Sequence, residues 1–470
     1  MLPPDPDKMI VNAARGRGVI SRIQFLVLTA ARQIWQKLTG TLVKVLPQSV
    51  YRFLTSWRWK DPATIITNGQ RDTDKQVDIP LPDVFKSPEV IRELLKGSAF
   101  LTREDRLASR NNTNQRLVSA FGLDNAFTTN ALSHKDEFVT RAKQLLRLDQ
   151  AKWRAVAGNA EQLVRFGITR QEERAEGVVN VSRLVQTTVL LAVMPILFPE
   201  NEVAQLTFEA DEAAFSAAQA INRIWAASKT CQVAEGELQG LLRELKVLLT
   251  SPDGKNPLNW IIPAYETLWR ITFRCFIEVH YKNPEQQEHF KEVFRHHVAD
   301  PMSAEFEDHV NSNCGVSCSN IVNEALRLYP PTKKIYRATP GYPTDSSTYP
   351  AADIEALHRD PAIWGADADI FRPTRWASEK MMPVEVRRRG IFLPFGMSPS
   401  LCPASQVFAP RIIALLVGVM DSVMAQQCGS TWKIVEDDGI FRVGPLRNDR
   451  DAYLSLSVER CEEDVSIHAA

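Results

Sequence analysis

The stretch FLPFGMSPSLCPASQVFAP, residues 392–410, restricts the fold more than any other part of the chain. Pro394, Gly396 and Pro399 precede Cys402, and Pro403 follows it directly. Proline fixes the backbone angle φ and glycine permits tight turns, so this composition predicts a stiff loop that ends at the cysteine. The apolar spacing beyond the loop predicts a buried helix that follows Cys402 and includes Val407, Phe408, Ile412, Ile413, Leu416, Val419 and Met420.

Cys402 is thereby predicted to lie at the N-terminus of that helix. Free backbone N–H groups and the positive end of the helix dipole lower the pKa of a thiol in such a position. The thiolate is the form that attacks carbon or binds metal, so Cys402 is a candidate metal ligand or nucleophile. The alternative is a small buried apolar side chain, which is the usual fate of a free cysteine.

A second informative stretch, NEALRLYPPTKKIYR, covers residues 323–337. Its periodicity predicts a helix that stops at the two prolines, with Glu324 and Arg327 on one face, where they can pair. Downstream, HRDPAIWGADADIFRPTRW is rich in turn-forming residues and supplies Arg375. Because a buried carboxylate needs paired charge, we expect Glu324, Arg327 and Arg375 to form a cluster.

The third stretch is PAYET, residues 263–267, inside a helix predicted from Pro257 to about residue 281 and bent at Pro263. An acid beside a hydroxyl at a weakened helical turn can relay protons to a buried site, which makes Glu266 and Thr267 candidates for that role. The alternative is that Thr267 bonds back to the previous turn and Glu266 faces solvent.

The composition excludes several classes of protein. The chain has 470 residues, of which 44% are hydrophobic and 24% charged, as in ordinary globular proteins. Lys+Arg and Asp+Glu both number 56, so the net charge is zero and nothing favours nucleic acid as a partner. The seven cysteines are too few for a disulfide scaffold, which indicates a reducing compartment.

The pattern of elements predicts a mainly helical α+β protein with small sheets, in one large domain over residues 76–470. Residues 1–75 form an N-terminal segment of amphipathic stretches that can contact a membrane surface, although docking on the protein itself is the favoured interpretation. No secretory signal or run of 18 apolar residues is expected. The predicted helices cover 88–95, 150–166, 180–194, 209–228, 257–281 and 320–329, and the predicted C-terminal strands cover 431–435, 440–443 and 453–458.

Taken together and in order, these stretches resemble the cytochrome P450 family of haem–thiolate monooxygenases. The likeness covers residues 256–415, and the sequence of these stretches is most similar to that of fungal members from biosynthetic pathways. It implies that Cys402 is the axial ligand of haem iron and that Phe395 belongs to the haem loop. It also implies that Glu324, Arg327 and Arg375 are structural, and that Thr267 and Glu266 order water and deliver protons for oxygen activation.

The chain departs from the family pattern at several positions. Ser398 and Ser400 stand where a glycine and a cation are usual, and Pro263 replaces a small residue in the oxygen-activating helix. The family's Trp-x-x-x-Arg helix has no full match. Arg337 is therefore our best candidate for the cation that would bind a haem propionate.

The resemblance implies a monooxygenase that oxidises a small, largely apolar substrate with O2 in secondary metabolism. Electrons would come from NADPH through a separate reductase, since the chain has no dinucleotide-binding loop. The protein would lie on the cytoplasmic side, soluble or peripherally associated with the endoplasmic reticulum. The alternative within the same fold is a haem–thiolate protein that performs ring closure, desaturation or rearrangement, or a degenerate homologue without activity.

Two unrelated classes stay open on sequence alone. Gly396-Met-Ser398-Pro-Ser400 partly matches the nucleophile elbow of serine hydrolases, without its closing glycine. A zinc module would need ligands from His296, His297, His309, Cys314 and Cys318, whose spacing fits no standard site.

Overall fold

The computed structural model describes residues 84–97, 102–175, 177–201, 206–230, 233–249, 255–308, 310–339, 349–377, 390–426 and 432–460. The chain divides into two units, and all of these residues except Thr339 belong to the unit formed by 82–338 and 344–470. The N-terminal segment 1–75, with its predicted membrane contact, lies outside the described residues.

The described part is mainly helical, as predicted. Its helices are α1 (Pro88–Lys96), α2 (Arg103–Phe121), α3 (Leu132–Leu145), α4 (Gln150–Arg174), α5 (Val181–Leu197), α6 (Phe208–Ser228), α7 (Glu237–Leu248), α8 (Leu258–Ile277), α9 (Gln287–Ala299), α10 (Glu305–Asp308), α11 (Cys318–Leu328), α12 (Ile354–His358), α13 (Pro361–Trp364) and α14 (Phe408–Gln426). A π-helical turn, Glu278–Lys282, extends α8, and Pro373–Trp376 is a 3₁₀ turn.

Two small sheets complete the fold. Strand β1 (Val84–Phe85) is parallel to β4 (Ala351–Asp353), which is antiparallel to β3 (Lys334–Tyr336). The second sheet places β6 (Ser457–Arg460) between β2 (Val178–Asn180) and β5 (Trp432–Glu436), with both pairs antiparallel. The fold is therefore mainly α with small β sheets.

The helix ends follow local chemistry that the sequence shows. The side chains of Asp149, Asn180 and Thr207 accept hydrogen bonds from backbone N–H groups of the first turns of α4, α5 and α6. Gly97 ends α1 in the left-handed region with φ 69°, which glycine adopts without strain. Capping therefore sets these boundaries close to where the sequence predicts them.

Helix α14 forms the centre of the core. It packs against α4, α8, α9 and α11. A Cβ atom added at Gly418 would lie 2.6 Å from Val298 Cγ2 and 2.9 Å from the carbonyl oxygen of Phe294, so α9 approaches this helix at the distance that only glycine allows. By length and composition α14 could cross a membrane, but 78% of its most apolar window is buried inside the protein.

Helix α14 is not wholly apolar. It carries Asp421, whose carboxylate accepts a hydrogen bond from Arg295 Nε at 2.7 Å and lies 3.1 Å from His280 Nε2. These partners hold the pKa of Asp421 below its usual value despite burial. The packing of α8 and α9 thus supplies the charge that this acidic side chain needs.

Two local predictions are wrong. The helix expected directly after Cys402 begins at Phe408, because residues 403–407 form turns, and Val407 is half exposed rather than buried. Residues 440–443 form no strand, and Val443 is fully exposed. In both places the apolar spacing predicted a helix or strand, but turn-forming residues nearby lead the chain into turns instead.

The structure brings Glu324, Arg327 and Arg375 together with no solvent exposure. Arg327 donates from Nε and Nη2 to the two carboxylate oxygens of Glu324, each at 2.8 Å. Arg375 Nε donates to Oε1 at 3.4 Å, and the indole N–H of Trp376 donates to Oε2 at 2.9 Å. The carboxylate thus fixes α11 against the 3₁₀ turn that carries Arg375 and Trp376.

The cluster also connects to the loop before Cys402. Arg327 Nη1 donates to the carbonyl oxygen of His358 at 2.7 Å, and His358 Nε2 accepts from the backbone N–H of Leu393 at 2.9 Å. Burial lowers the pKa of His358 to about 3, so the ring is neutral and can accept this bond at Nε2. His358 therefore joins the cluster to the loop, a role that the sequence did not indicate.

We expect Glu324→Ala to lower the free energy of unfolding by about 3–5 kcal/mol, because Arg327 would be left buried without a carboxylate partner and Arg375 would keep only Asp367. Urea unfolding of the purified protein measures this loss. Glu161→Ala is the matched control, since Glu161 forms an exposed pair with Arg165 and its loss should cost less than about 1 kcal/mol. Equal costs for the two variants would contradict a structural role of the cluster.

A second buried carboxylate, Glu278, lies where α8 passes into its π-helical turn. It accepts hydrogen bonds from the Tyr329 hydroxyl and, at 2.8 Å, from Asn283 Nδ2. Burial nevertheless dominates and raises the pKa of Glu278 from 4.5 to about 7. The folded state therefore favours the protonated carboxyl group.

This pKa predicts a specific pH dependence of stability. The contribution of Glu278 is complete below pH 4.5 and is lost as the pH rises through about 7, because only the folded state resists ionisation. The stability of wild type relative to Glu278→Gln should fall by about 3 kcal/mol over that window. Urea unfolding of both proteins between pH 4.5 and 8 measures the difference, and a constant difference would show that Glu278 does not titrate there.

Candidate functional site

Backbone hydrogen bonds shape the loop that carries Cys402. The Cys402 N–H donates to the carbonyl oxygen of Phe395 at 3.1 Å, and the Ser405 N–H donates to that of Cys402 at 3.2 Å. Gly396 has φ +70°, a conformation that side chains rarely adopt. The loop therefore holds the backbone at Cys402 directly against Phe395.

The Cys402 thiol is not activated by a helix terminus, contrary to expectation, because α14 begins six residues later. Burial raises its pKa above the ordinary value of 9, while a hydrogen bond from the backbone of Ala404 and the charge of Arg110 act in the opposite direction. The thiol is therefore neutral by itself. A bound metal ion would have to displace its proton.

Arg110 lies near this loop, and Arg337 lies near Arg110. The positive charge of Arg110 acts on the Cys402 thiol, and the positive charge of Arg337 repels that of Arg110. Burial lowers the pKa of Arg110 to about 9 and that of Arg337 to about 10. The guanidinium carbon of Arg110 lies 4.2 Å from the centroid of the Phe127 ring, and Arg337 Nη1 donates to the carbonyl oxygen of Tyr336 at 2.8 Å. Among the described residues no carboxylate pairs with either guanidinium group.

Arg110 was not identified from the sequence. It lies in the polar run RNNTNQR of α2, where nothing in the residue pattern distinguishes it from a solvated arginine. Only the packing of α2 brings it near Cys402, which lies 292 positions later in the chain. Arg337, by contrast, was singled out from the sequence, and the structure brings it close to Arg110.

The carboxylate of Glu266 and the hydroxyl of Thr267 lie in different surroundings. Thr267 Oγ1 is 3.5 Å from the carbonyl oxygen of Pro263, the local bond weighed as its alternative interpretation. Glu266 is buried rather than exposed, and its carboxylate binds Arg450 and lies 3.7 Å from Arg270 Nη1. In the described residues neither side chain is hydrogen-bonded to the Cys402 loop.

The arrangement around Cys402 fits a haem group. A single thiol on a rigid loop can supply one axial ligand, and two cations without carboxylate partners suit the two propionates that haem carries. No cluster of three or more His, Cys, Asp or Glu residues within the described ranges could hold a metal ion instead. His309 of the zinc alternative lies outside those ranges.

The serine hydrolase alternative is wrong. The described residues directly before Ser398, 390–397, contain no strand, and the next helix begins only at Phe408, so this loop lacks the strand–turn–helix geometry of a nucleophile elbow.

Comparisons with known proteins agree with this site. Residues 276–407 match the sequence profile of the cytochrome P450 family. The putative cytochrome P450 CYP13A2 of Caenorhabditis elegans is 36% identical over 89 residues, which are 17% of this chain and 16% of that protein. Putative cytochrome P450 CYP13A6 of the same species is 32% identical over 127 residues, 26% and 23% of the two chains.

A fungal relative also matches. Cytochrome P450 monooxygenase hepC of Aspergillus oryzae is 30% identical over 120 residues, 23% of each chain. The chain thus spans between about a sixth and a quarter of the length of these three relatives. The matched segment contains the cluster of Glu324, Arg327 and Arg375 and the loop of Cys402, so this part of the chain is similar to the cytochrome P450 family.

Proposed function

We propose that the protein is a haem–thiolate monooxygenase that oxidises a small, largely apolar organic substrate with O2. The observation that carries the proposal is the position of Cys402, on a loop tied to the buried Glu–Arg–Arg cluster and near Arg110, which has no carboxylate partner among the described residues. The match of residues 276–407 to the family, and the relative named as a monooxygenase, support it.

In this proposal Cys402 would hold haem iron, Arg110 and Arg337 would bind its propionates, and Phe395 would belong to the loop that carries Cys402. When bound, haem supplies the oxygen chemistry, which an axial thiolate favours by donating electron density. To hold the iron, the Cys402 thiol would have to lose its proton, and the nearby charge of Arg110 would favour the thiolate.

We further propose that Thr267 and Glu266 handle protons for the reaction. The Thr267 hydroxyl is held only by a long contact of 3.5 Å to Pro263, so it can turn to bind water or substrate. Glu266 is held by Arg450, which restricts its carboxylate and favours a role through ordered water rather than direct transfer. Glu324, Arg327 and Arg375 are structural residues that position the loop.

The wider setting of the reaction is also a proposal. We place the haem domain in residues 76–470 and assign 1–75 to a peripheral contact with the endoplasmic reticulum membrane, on its cytoplasmic side. Electrons come from NADPH through a separate reductase. The fungal monooxygenase among the relatives supports a role in secondary metabolism.

The second candidate is a haem–thiolate protein of the same fold that does not hydroxylate. Two observations favour this candidate. Ser398 and Ser400 replace the usual residues of the loop, and Glu266 is held in an ion pair. Ring closure, desaturation or rearrangement need not insert oxygen. Incorporation of ¹⁸O from labelled O2 into the product distinguishes the two candidates.

We expect Cys402→Ala to abolish the red-shifted Soret band that a thiolate-ligated haem gives after reduction and treatment with CO, because the axial sulfur is lost. Absorption spectra of the purified proteins measure this. Cys314→Ala is the matched control, since Cys314 is also a partly buried free cysteine but lies in another loop. If Cys402→Ala kept the band, another residue would be the ligand and the proposal would fail.

We expect Thr267→Ala to keep haem and to lower product yield about tenfold or more, with electrons diverted to hydrogen peroxide, because an organised proton donor is lost. The measurement compares product and peroxide formed per NADPH consumed with a reductase. Thr267→Ser keeps the hydroxyl and should retain most of the yield. Full coupling in Thr267→Ala would favour the non-hydroxylating candidate.

A further inference from the structure

A cavity of about 300 Å³ lies between α5 and α6, and none of its lining residues belongs to the cysteine loop. Ser182 and Gln186 of α5 and Gln219 of α6 supply hydroxyl and amide groups to its wall. Such a volume is at the lower end of the range for small-molecule sites and corresponds to about ten water molecules. The cavity is therefore large enough for an organic molecule with a single ring.

The guanidinium group in the cavity wall is already neutralised. Arg183 Nη2 donates to Asp211 Oδ2 at 2.8 Å and also binds the carboxylate of Glu212. Arg174 binds Glu212 as well. Two cations and two carboxylates thus balance in this group, so it offers a charged ligand no unpaired counter-charge.

Three hydrogen-bonding groups of the wall are available to a ligand. Gln186 Nε2 donates to Ser182 Oγ at 2.8 Å, and Gln186 Oε1 accepts from Gln219 Nε2 at 3.2 Å. In the described part of the chain, the second N–H of Gln186 and the hydroxyl hydrogen of Ser182 have no acceptor, and Gln219 Oε1 has no donor. Ser182 and Gln186 are each only 1% exposed, so donors left unused there cost free energy.

A chain of side-chain hydrogen bonds holds this wall in one arrangement. Gln186 Oε1 also accepts from Asn222 Nδ2 at 2.8 Å, and Asn222 Oδ1 accepts from Arg450 Nη1 at 2.9 Å. Arg450 in turn binds Glu266. Groups that are fixed in this way lose little freedom on binding, which favours affinity. The polar wall of the cavity is therefore preorganised.

We propose that this cavity binds an uncharged ring compound with several hydroxyl groups, such as a monosaccharide or a cyclic polyol. Each hydroxyl both donates and accepts, so neighbouring hydroxyls can accept from Ser182 and Gln186 and donate to Gln219. A carboxylate cannot donate to Gln219, and an ammonium group cannot accept from the two donors. Phe215 and Leu454 supply apolar surface for the C–H groups of such a ring. This site goes beyond the proposed function and does not depend on it.

Saturation-transfer NMR on the full-length protein as purified tests the site with myo-inositol and with D-glucose. At least one of them should bind with a dissociation constant in the millimolar range or lower. Cyclohexanol, which keeps a six-membered ring but has one hydroxyl, should bind about tenfold more weakly, because about two hydrogen bonds are lost. Absence of transfer to both polyols, or equally tight binding of cyclohexanol, overturns the inference.

Variants at Gln219 show whether binding occurs in this cavity. Gln219→Met removes the carbonyl acceptor and should weaken binding several-fold. Gln219→Trp places an indole in the cavity and should abolish binding. Gln144→Met, at an exposed position of α3, is the matched control and should bind like the wild type.

The midpoint of urea unfolding shows whether each variant folds. Wild-type affinity in a folded Gln219→Trp protein would mean that the polyol binds elsewhere, and the inference would be wrong. If Gln219→Trp does not fold, Gln219→Met decides, since an unchanged affinity in that variant contradicts the site.

Discussion

One buried carboxylate determines how the candidate site is held. Glu324 accepts hydrogen bonds from two guanidinium groups and an indole with no access to water. Arg327 lies on α11 with Glu324, whereas Arg375 and Trp376 belong to the 3₁₀ turn Pro373–Trp376, so the carboxylate fixes that turn against α11. Because Arg327 also binds the carbonyl of His358, and His358 the N–H of Leu393, the start of the cysteine loop depends on the same charge.

Sequence reasoning worked where the signal is local. The spacing of Glu324 and Arg327 before two prolines shows both a shared helix face and a stop, and capping residues such as Asn180 mark helix starts. It failed where the outcome depends on tertiary packing. Arg110, Arg116 and Arg450 look like solvated arginines in the sequence, and only the folded chain reveals that their carboxylate partners are missing or shared. The helix after Cys402 was placed six residues early because apolar periodicity is insensitive to the turns that precede Phe408.

Charge is distributed unevenly within a chain that is neutral overall. Glu324 has two arginines and needs both, since it is fully buried. Near Cys402, by contrast, Arg110 and Arg337 have no carboxylate partner among the described residues. Uncompensated charge in such places is costly to the fold and is retained where a ligand offsets it. The Glu324 cluster is therefore complete by itself, whereas the proposed haem would supply the anionic partners of Arg110 and Arg337.

Helix α14 carries a consequence for how the protein is made. During synthesis its 19 residues emerge as a segment that the membrane-insertion machinery can recognise, since length and hydropathy meet the requirement for a span. Asp421 opposes that outcome, because an aspartate near the middle of a bilayer costs about 2.5–3.5 kcal/mol, whereas in the folded protein Arg295 and His280 bind it. The partners that Asp421 finds in the folded protein thus favour burial of α14 in the core over its insertion into lipid.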